Sequence, residues 1–347
     1  MPYHDIIVIG ASAGGLVAFK NLVRHLPQDL AAAVFIVWHM SPHFRSILPA
    51  ILSKTGNLPA QHAVDKEPIH HGKIYIAPPD RHLMLEADHI RLTRAPKENR
   101  FRPAVDPLFR SAAYVFGPRV VGVVLTGALD DGTAGLWAIK DRGGVIIVQE
   151  PQEAQEPSMP RSALQHVQVD HCLPIADIAH TLVKLTKESA EEKKEYPIST
   201  ELEIETQIAM QSKGLQMGVM KLGEFSPFTC PECHGALLQI KNGAITRFRC
   251  HTGHAFSIDS LLAALGEVSE NALWNALRAI EERVLLLTHM AQDASKAHHP
   301  QLATLIKEKR QEEQKRVNMV RDLVMQHEAI TKDKLEQEAE EKSDDQD

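Results

Sequence analysis

The sequence predicts an α/β protein: a doubly wound, mainly parallel sheet with an antiparallel edge hairpin, followed by a small zinc-binding module and a helical hairpin. Three observations predict it. From residue 4 to about 187, β-branched apolar runs alternate with amphipathic segments. Three cysteines, Cys230, Cys233 and Cys250, cluster in the last third, and beyond residue 257 apolar residues recur at helical spacing.

The chain opens on "HDIIVIGASAGGLVAF", residues 4 to 19, a strand-like run that stops at Gly10, Ser12, Gly14 and Gly15 and resumes as a helix-like pattern. The spacing approaches the G-x-G-x-x-G of a pyrophosphate cradle, but Ser12 replaces the middle glycine and would crowd that ligand. The same residues fit Gly10-x-Ser12-x-Gly14, a turn that presents a hydroxyl between strand and helix. Further strands are expected at "AAVFIVWHM", "KIYIAP", "IRLTR", "VVGVVLTG" and "VIIVQE". "HIRLTRAP" alternates apolar and polar residues, as the edge partner of "KIYIAPPDRHLML" would. Cys172 adjoins a short apolar segment and is expected to pack as a small hydrophobe.

These readings divide the chain into a domain over 1–187, a linker over 188–224, a zinc-binding module over 225–257, a helical hairpin over 258–336 and a disordered acidic tail over 337–347. In the first hairpin helix Leu273, Leu277, Ile280, Val284 and Leu287 lie along one stripe. A second helix is expected over roughly 300 to 335, after "HHP".

The chain has 347 residues, 44% hydrophobic and 24% charged, and a net charge of −7, a composition ordinary for a globular protein. The acidic balance excludes a generalised nucleic-acid grip, and no apolar run approaches the ~20 residues of a membrane span. A strand begins almost at once, without the sections of a signal peptide, so a cytoplasmic location is expected.

In a parallel sheet the loops after the strands open on one edge, where active sites collect. The first strand ends at Ser12, the second at His39, and the late strand "VVGVVLTGALDDG" at Asp130 and Asp131. Each has a plainer reading: Ser12 as a helix cap, His39 as one of 19 histidines, Asp131 as turn chemistry before Gly132. Together they supply the parts of nucleophilic catalysis. A dinucleotide site would favour an acidic residue where the second strand instead ends in His39.

The ordered segments "IGASAGG", "WHMSPHF", "GKIYIAPPDRHLML", "RPAVDPLFRSAA", "GVVLTGALDDGTAGL" and "PSMPRSAL" resemble the catalytic domain of chemotaxis protein-glutamate methylesterases (CheB-like), across about residues 4 to 187. The resemblance implies Ser12 as nucleophile, His39 as base and Asp131 as its orienting carboxylate, with Asp130 at a more variable position. It also implies hydrolysis of glutamyl methyl esters, and deamidation of glutamines, on the cytoplasmic helices of methyl-accepting chemoreceptors. A receptor methyltransferase would be the counterpart, and catalysis would need no cofactor. Backbone N–H groups of the glycine-rich turn and of "TGALDDG" would stabilise the oxyanion, and Met159 matches a position near the cleft. With the first strand starting at residue 5, the family's usual N-terminal phospho-receiver domain is expected to be lacking. The family usually has Thr and Met where this chain has Ala13 and Ala128, and glycine where it has Leu129.

"CPEC" at 230 to 233 and "CHTGH" at 250 to 254 give C-x2-C, a 16-residue gap and C-x3-H. That spacing assigns Cys230, Cys233, Cys250 and His254 to a closed structural zinc site; three buried free cysteines are the plainer reading. Because the expected catalytic residues precede residue 135, a fragment ending near 187 is expected to keep the chemistry. The competing account is an adaptor that binds partners through its zinc and helical regions, with a weakly active or inert esterase fold.

Overall fold

A computed structural model describes residues 3–40, 46–190, 196–211, 213–243, 245–326, 330 and 335. The chain forms two compact units, Met1–Leu261 and Leu262–Asp347. In chain order the first holds β1 (Ile6–Ala11), α1 (Gly15–Arg24), β2 (Ala33–Trp38), α2 (Leu48–Thr55), β3 (Ala60–His62), β4 (Lys73–Ile76), β5 (His82–Leu85) and β6 (Ile90–Thr93). Next come α3 (Val105–Phe116), β7 (Val120–Val124), α4 (Thr133–Asp141), β8 (Val145–Gln149), α5 (Ser158–His166), β9 (His171–Leu173) and α6 (Ile175–Leu185). Beyond them lie α7 (Thr200–Gln211), β10 (Glu224–Thr229), β11 (Ala236–Asn242), β12 (Ile245–Cys250) and β13 (Ala255–Ser257), then α8 (Ile258–Lys296) and α9 (Pro300–Met325).

Seven strands form one sheet in the order β3-β4-β2-β1-β7-β8-β9. Every neighbouring pair is parallel. The central strands β1 and β7 are buried along their whole length, which explains their unbroken apolar runs: helices cover both faces. Val8, Phe35, Tyr75, Leu108 and Phe109 pack on one face, and Ile7, Ile9, Phe19, Leu22 and Ile36 on the other. Each such side chain contributes roughly 1.5–3 kcal/mol by leaving water. Connections leave β1 toward β2 on one side and reach β7 on the other, so the crevice at their carboxyl ends is the sheet's switch point.

Three features differ from expectation. β5 and β6 form the expected antiparallel hairpin, but as a separate two-stranded sheet whose partner for "IRLT" is "HLML". The large sheet ends instead in β3 and β9, three residues each, too short to carry a periodic signal. Cys172 lies on β9 and is exposed, not packed, because that edge strand turns its middle side chain outward. Within the stretch read as a linker, α7 buries Leu202, Ile204 and Ile208 together with Glu205 and Thr206. It also accepts a 2.8 Å hydrogen bond from Thr93 Oγ1 at the Ala209 carbonyl.

β10 to β13 form a four-stranded antiparallel sheet. In the second unit, α8 and α9 make a helical hairpin in which Leu287, Ala291, Ala294, Ala303 and Ile306 pack together. Leu277 is buried, and Leu273, Ile280 and Val284 half-buried, on the expected stripe. Arg283 pairs with Glu313 at 2.9 Å, and Arg321 pairs with Glu281. The acidic tail over 337–347 lies outside the described residues. None of the described helices is long and apolar enough to cross a membrane.

Candidate active site

The glycines of the first turn are dictated by close packing. A Cβ on Gly10 would stand 2.4 Å from Val105 Cγ1, the first residue of α3. Gly14 has φ +76°, and a Cβ there would meet Thr126 Oγ1 at 2.9 Å. Between them the Ser12 N–H donates to the Thr126 carbonyl at 3.0 Å, tying the turn to the end of β7. The Ser12 carbonyl accepts from Trp38 Nε1 at 2.8 Å, and the His39 N–H donates to the Ala11 carbonyl at 3.3 Å. The ends of β1, β2 and β7 are thereby stitched together.

His39 Nε2 lies 2.7 Å from Asp131 Oδ2, with both side chains almost wholly buried. The Phe101 ring stacks on the imidazole at 3.9 Å between centroids and 7° between planes. His39 Nδ1 is buried without a hydrogen-bond partner. Asp131 accepts further from the Val105 N–H at 2.7 Å, the Asp106 N–H at 3.2 Å and Asn99 Nδ2 at 2.9 Å. Two of these donors are the first amides of α3, the positive end of that helix. Burial opposes ionisation of Asp131, yet the His39 hydrogen bond and charge, the Val105 amide and Asn99 hold it below the ordinary carboxylate range.

Asp106 accepts from the Gly132 and Gly135 N–H groups at 3.1 and 2.7 Å and so fastens the start of α4. Burial and the neighbouring Asp131 charge push it up to about 7. Asp130 accepts from Ser257 Oγ at 2.6 Å. Burial, with the charges of Asp259, Asp106 and Asp131, pushes it up to about 8.

Ser12 and His39 open onto one cleft of about 370 Å³, shared with Met40, Lys97, Phe101 and Arg102. Arg102 reaches Asp80 Oδ1 through Nε at 2.8 Å and Nη2 at 2.6 Å, and Arg94 also pairs with Asp80. Met159 is fully buried beneath this floor, where a Cβ on Gly127 would come within 2.1 Å of its sulfur. Leu129 has φ 62°, the left-handed region that suits the family's glycine, so its side chain strains the loop by roughly 1–3 kcal/mol. The N–H groups of Ser12 and Gly127 are engaged, the latter at 2.9 Å with the Glu156 carbonyl.

The structure thus brings Ser12, His39 and Asp131 to one crevice. Asn99, Phe101 and Asp106 around them were not anticipated. Asn99 and Arg100 have successive positive φ values, 48° and 75°, a conformation that Asn tolerates better than most residues.

Cys230, Cys233, Cys250 and His254 gather with their donor atoms within 4.8 Å of one another. Cys233 Sγ and His254 Nδ1 each lie 3.6 Å from Cys250 Sγ. A tetrahedron with Zn–S bonds of about 2.3 Å has edges near 3.8 Å, so the donor set and spacing fit zinc. A hydrogen bond from Cys230, with others from His254 and Cys233, pulls the Cys250 thiol down, while the same contact and burial push the Cys230 thiol up.

A buried ionic chain lies beside the site. Arg110 Nη2 meets Glu98 at 2.6 Å, Arg249 bridges Glu98 at 3.2 Å and Glu205 at 2.8 Å, and Arg247 holds Glu205 through two 2.8 Å bonds. Arg249 has no exposed surface. Burial opposes ionisation of Glu98 and Glu205, but the arginines hold both below the ordinary carboxylate range.

Comparison with known proteins matches the first half of the chain. A family model described as CheB methylesterase matches residues 7–182. A Leptospira interrogans relative is 37% identical over 191 residues, 55% of this chain and 99% of that one. An Anaeromyxobacter dehalogenans protein named protein-glutamate methylesterase/protein-glutamine glutaminase 2 is 39% identical over 183 residues, 53% of this chain and 54% of that one. The chain therefore spans about half the length of that relative. The crystal structure of the Thermotoga maritima CheB methylesterase catalytic domain superposes with a TM-score of 0.51 and 34% identity, covering 52% of this chain and 98% of that one.

Proposed function

This chain belongs to the CheB methylesterase family, and from that premise we propose that it hydrolyses glutamyl methyl esters, and deamidates glutamines, on the cytoplasmic helices of methyl-accepting chemoreceptors. The carrying observation is that His39, held at 2.7 Å by the buried Asp131, opens with Ser12 onto one cleft at the sheet's switch point. Ser12 Oγ attacks the side-chain carbonyl while His39 Nδ1, the ring nitrogen opposite Asp131, takes its proton. Asp131 stabilises the imidazolium and fixes the ring. His39 then protonates the departing methanol or ammonia, leaving a glutamyl ester on Ser12. Water, activated by the same nitrogen, releases glutamate and restores the serine. With the Ser12 and Gly127 amides engaged, the oxyanion falls to other N–H groups of the glycine-rich turn and of the loop after β7.

Such a substrate places the enzyme in the cytoplasm, opposite a receptor methyltransferase that adds the methyl groups. A structural zinc ion held by Cys230, Cys233, Cys250 and His254 would consolidate the β10–β13 sheet and take no part in the reaction. The domain over 1–187 carries the reacting groups. The test is methanol release from a methylated receptor cytoplasmic fragment. Wild-type protein should release it catalytically, and Ser12→Ala should lower the rate roughly 10³-fold or more. Equal release by the variant would refute the reading.

A further inference from the structure

The loop that carries Asn99 is held from outside the catalytic sheet. Asn99 donates an N–H to the Ala255 carbonyl at 2.8 Å, and the Ala255 N–H donates to the Lys97 carbonyl at 3.3 Å, so β13 runs beside the loop. Arg249 grips Glu98 at 3.2 Å, one residue earlier. The Asn99 side chain, almost fully buried, then uses its amide in both directions. Nδ2 donates to Asp131 Oδ1 and to Asp106 Oδ2, each at 2.9 Å. Oδ1 accepts from the Ser257 N–H at 3.0 Å and from Ser260 Oγ at 3.1 Å. Ser260 has no exposed surface, and Ser257 caps α8 by accepting the Ser260 N–H at 3.0 Å.

We infer that Ser257 and Ser260, at the start of α8, are positioning residues of the esterase site that act on the Asp131 carboxylate through Asn99. A primary amide has two donors and one acceptor oxygen, and here both ends are committed. Reversing it would turn its oxygen toward two carboxylates and its NH2 toward two donors. The serines therefore fix the orientation in which Asn99 supports Asp131, and Asp131 in turn orients His39. Ser257 adds a second hold through its Oγ on Asp130, the residue before Asp131. A fragment ending near residue 187 lacks Glu205, Arg249, Ser257 and Ser260, so its expected outcome changes from unchanged chemistry to a lowered kcat.

The inference rests on Ser12, His39 and Asp131 being the reacting set, and the test separates the two. In the full chain, Ser257→Ala with Ser260→Ala should lower kcat on a small glutamyl methyl ester about ten-fold, the worth of one buried hydrogen bond, with KM unchanged. Adding Ser260→Ala to Asn99→Ala should cost nothing further, because the Ser260 hydroxyl acts through that one group, whereas Ser257→Ala also frees Asp130. The downfield imidazole N–H resonance of the His39–Asp131 hydrogen bond should shift in the same variants, a readout independent of turnover. If the alanine pair does not fold, Ser260→Cys, similar in volume but a weak donor, carries the same comparison. An active wild type whose kcat and resonance are both indifferent to these replacements overturns the positioning role. A wild type that releases no methanol, but whose resonance still moves with Ser260, refutes the esterase reading and upholds the positioning.

Discussion

His39 meets Asp131 through Nε2, at 2.7 Å, which leaves the buried Nδ1 without a hydrogen-bond partner, the nitrogen that the proposed reaction assigns to the Ser12 proton. Asp131 collects that contact together with the Val105 and Asp106 amides and Asn99. An amide at this position would present its own NH2 to donors on one side. Asp131→Asn should therefore select the wrong imidazole tautomer and lower kcat roughly 10³–10⁴-fold, with about 1–3 kcal/mol lost from stability. Ester hydrolysis and urea denaturation check both, and near-native turnover would remove Asp131 from the reacting set.

The cysteine cluster carries the second prediction. Purified protein should hold about one zinc per chain, and Cys230→Ser or prolonged chelation should release it and loosen the β10–β13 sheet. Because β13 lies beside Asn99, esterase kcat should fall as well. Metal analysis alongside amide hydrogen exchange of residues 224–257 decides the matter. Metal-free protein with full protection there would contradict the site.

Arg249 supports the third. It is fully buried between Glu98 and Glu205, so Arg249→Ala breaks two buried ion pairs and leaves Glu98 to Arg110 alone and Glu205 to Arg247 alone. Breaking a buried pair in this way costs roughly 3–5 kcal/mol. The midpoint of urea unfolding should drop accordingly, and a change within 1 kcal/mol (about a tenth of typical stability) would show that the chain bears little weight.

Asp130 yields a pH prediction. Its carboxyl is pushed up to about 8 in the folded protein, against about 4 for an unperturbed aspartate. Between those values the folded chain keeps a proton that the unfolded chain has released, so this group makes stability fall as pH rises. Asp130→Asn keeps a carbonyl acceptor for Ser257 Oγ and abolishes the titration. Its melting temperature relative to wild type should climb from pH 4 to pH 8, by a few degrees in all. A difference constant across that range would contradict the assignment.

What could be read from residues alone follows from what leaves a local signature. Ser12, His39 and Asp131 each terminate an apolar strand, and a parallel sheet gathers strand ends. The cluster of Cys230, Cys233, Cys250 and His254 announces itself by spacing. Asn99 has no such mark: its partners at 257 and 260 are some 160 positions away, and a satisfied buried amide looks like any loop asparagine. α7 was hidden for a related reason. Its buried face includes Glu205 and Thr206, and a charge neutralised by Arg247 and Arg249 is indistinguishable in sequence from a solvated one. Cys172 misled in the opposite sense, because apolar neighbours do not say which face of an edge strand a side chain takes.

The central claim is a covalent intermediate on Ser12, and trapping it is the most direct test. The full-length protein is mixed with an activated glutamyl ester, so that acylation outruns deacylation, then quenched in acid and mapped by peptide mass. The account predicts one glutamyl group on the peptide that contains Ser12, and none in Ser12→Ala, which should also fail to turn the ester over. Turnover that persists in Ser12→Ala, with no adduct on the wild-type peptide, would contradict it.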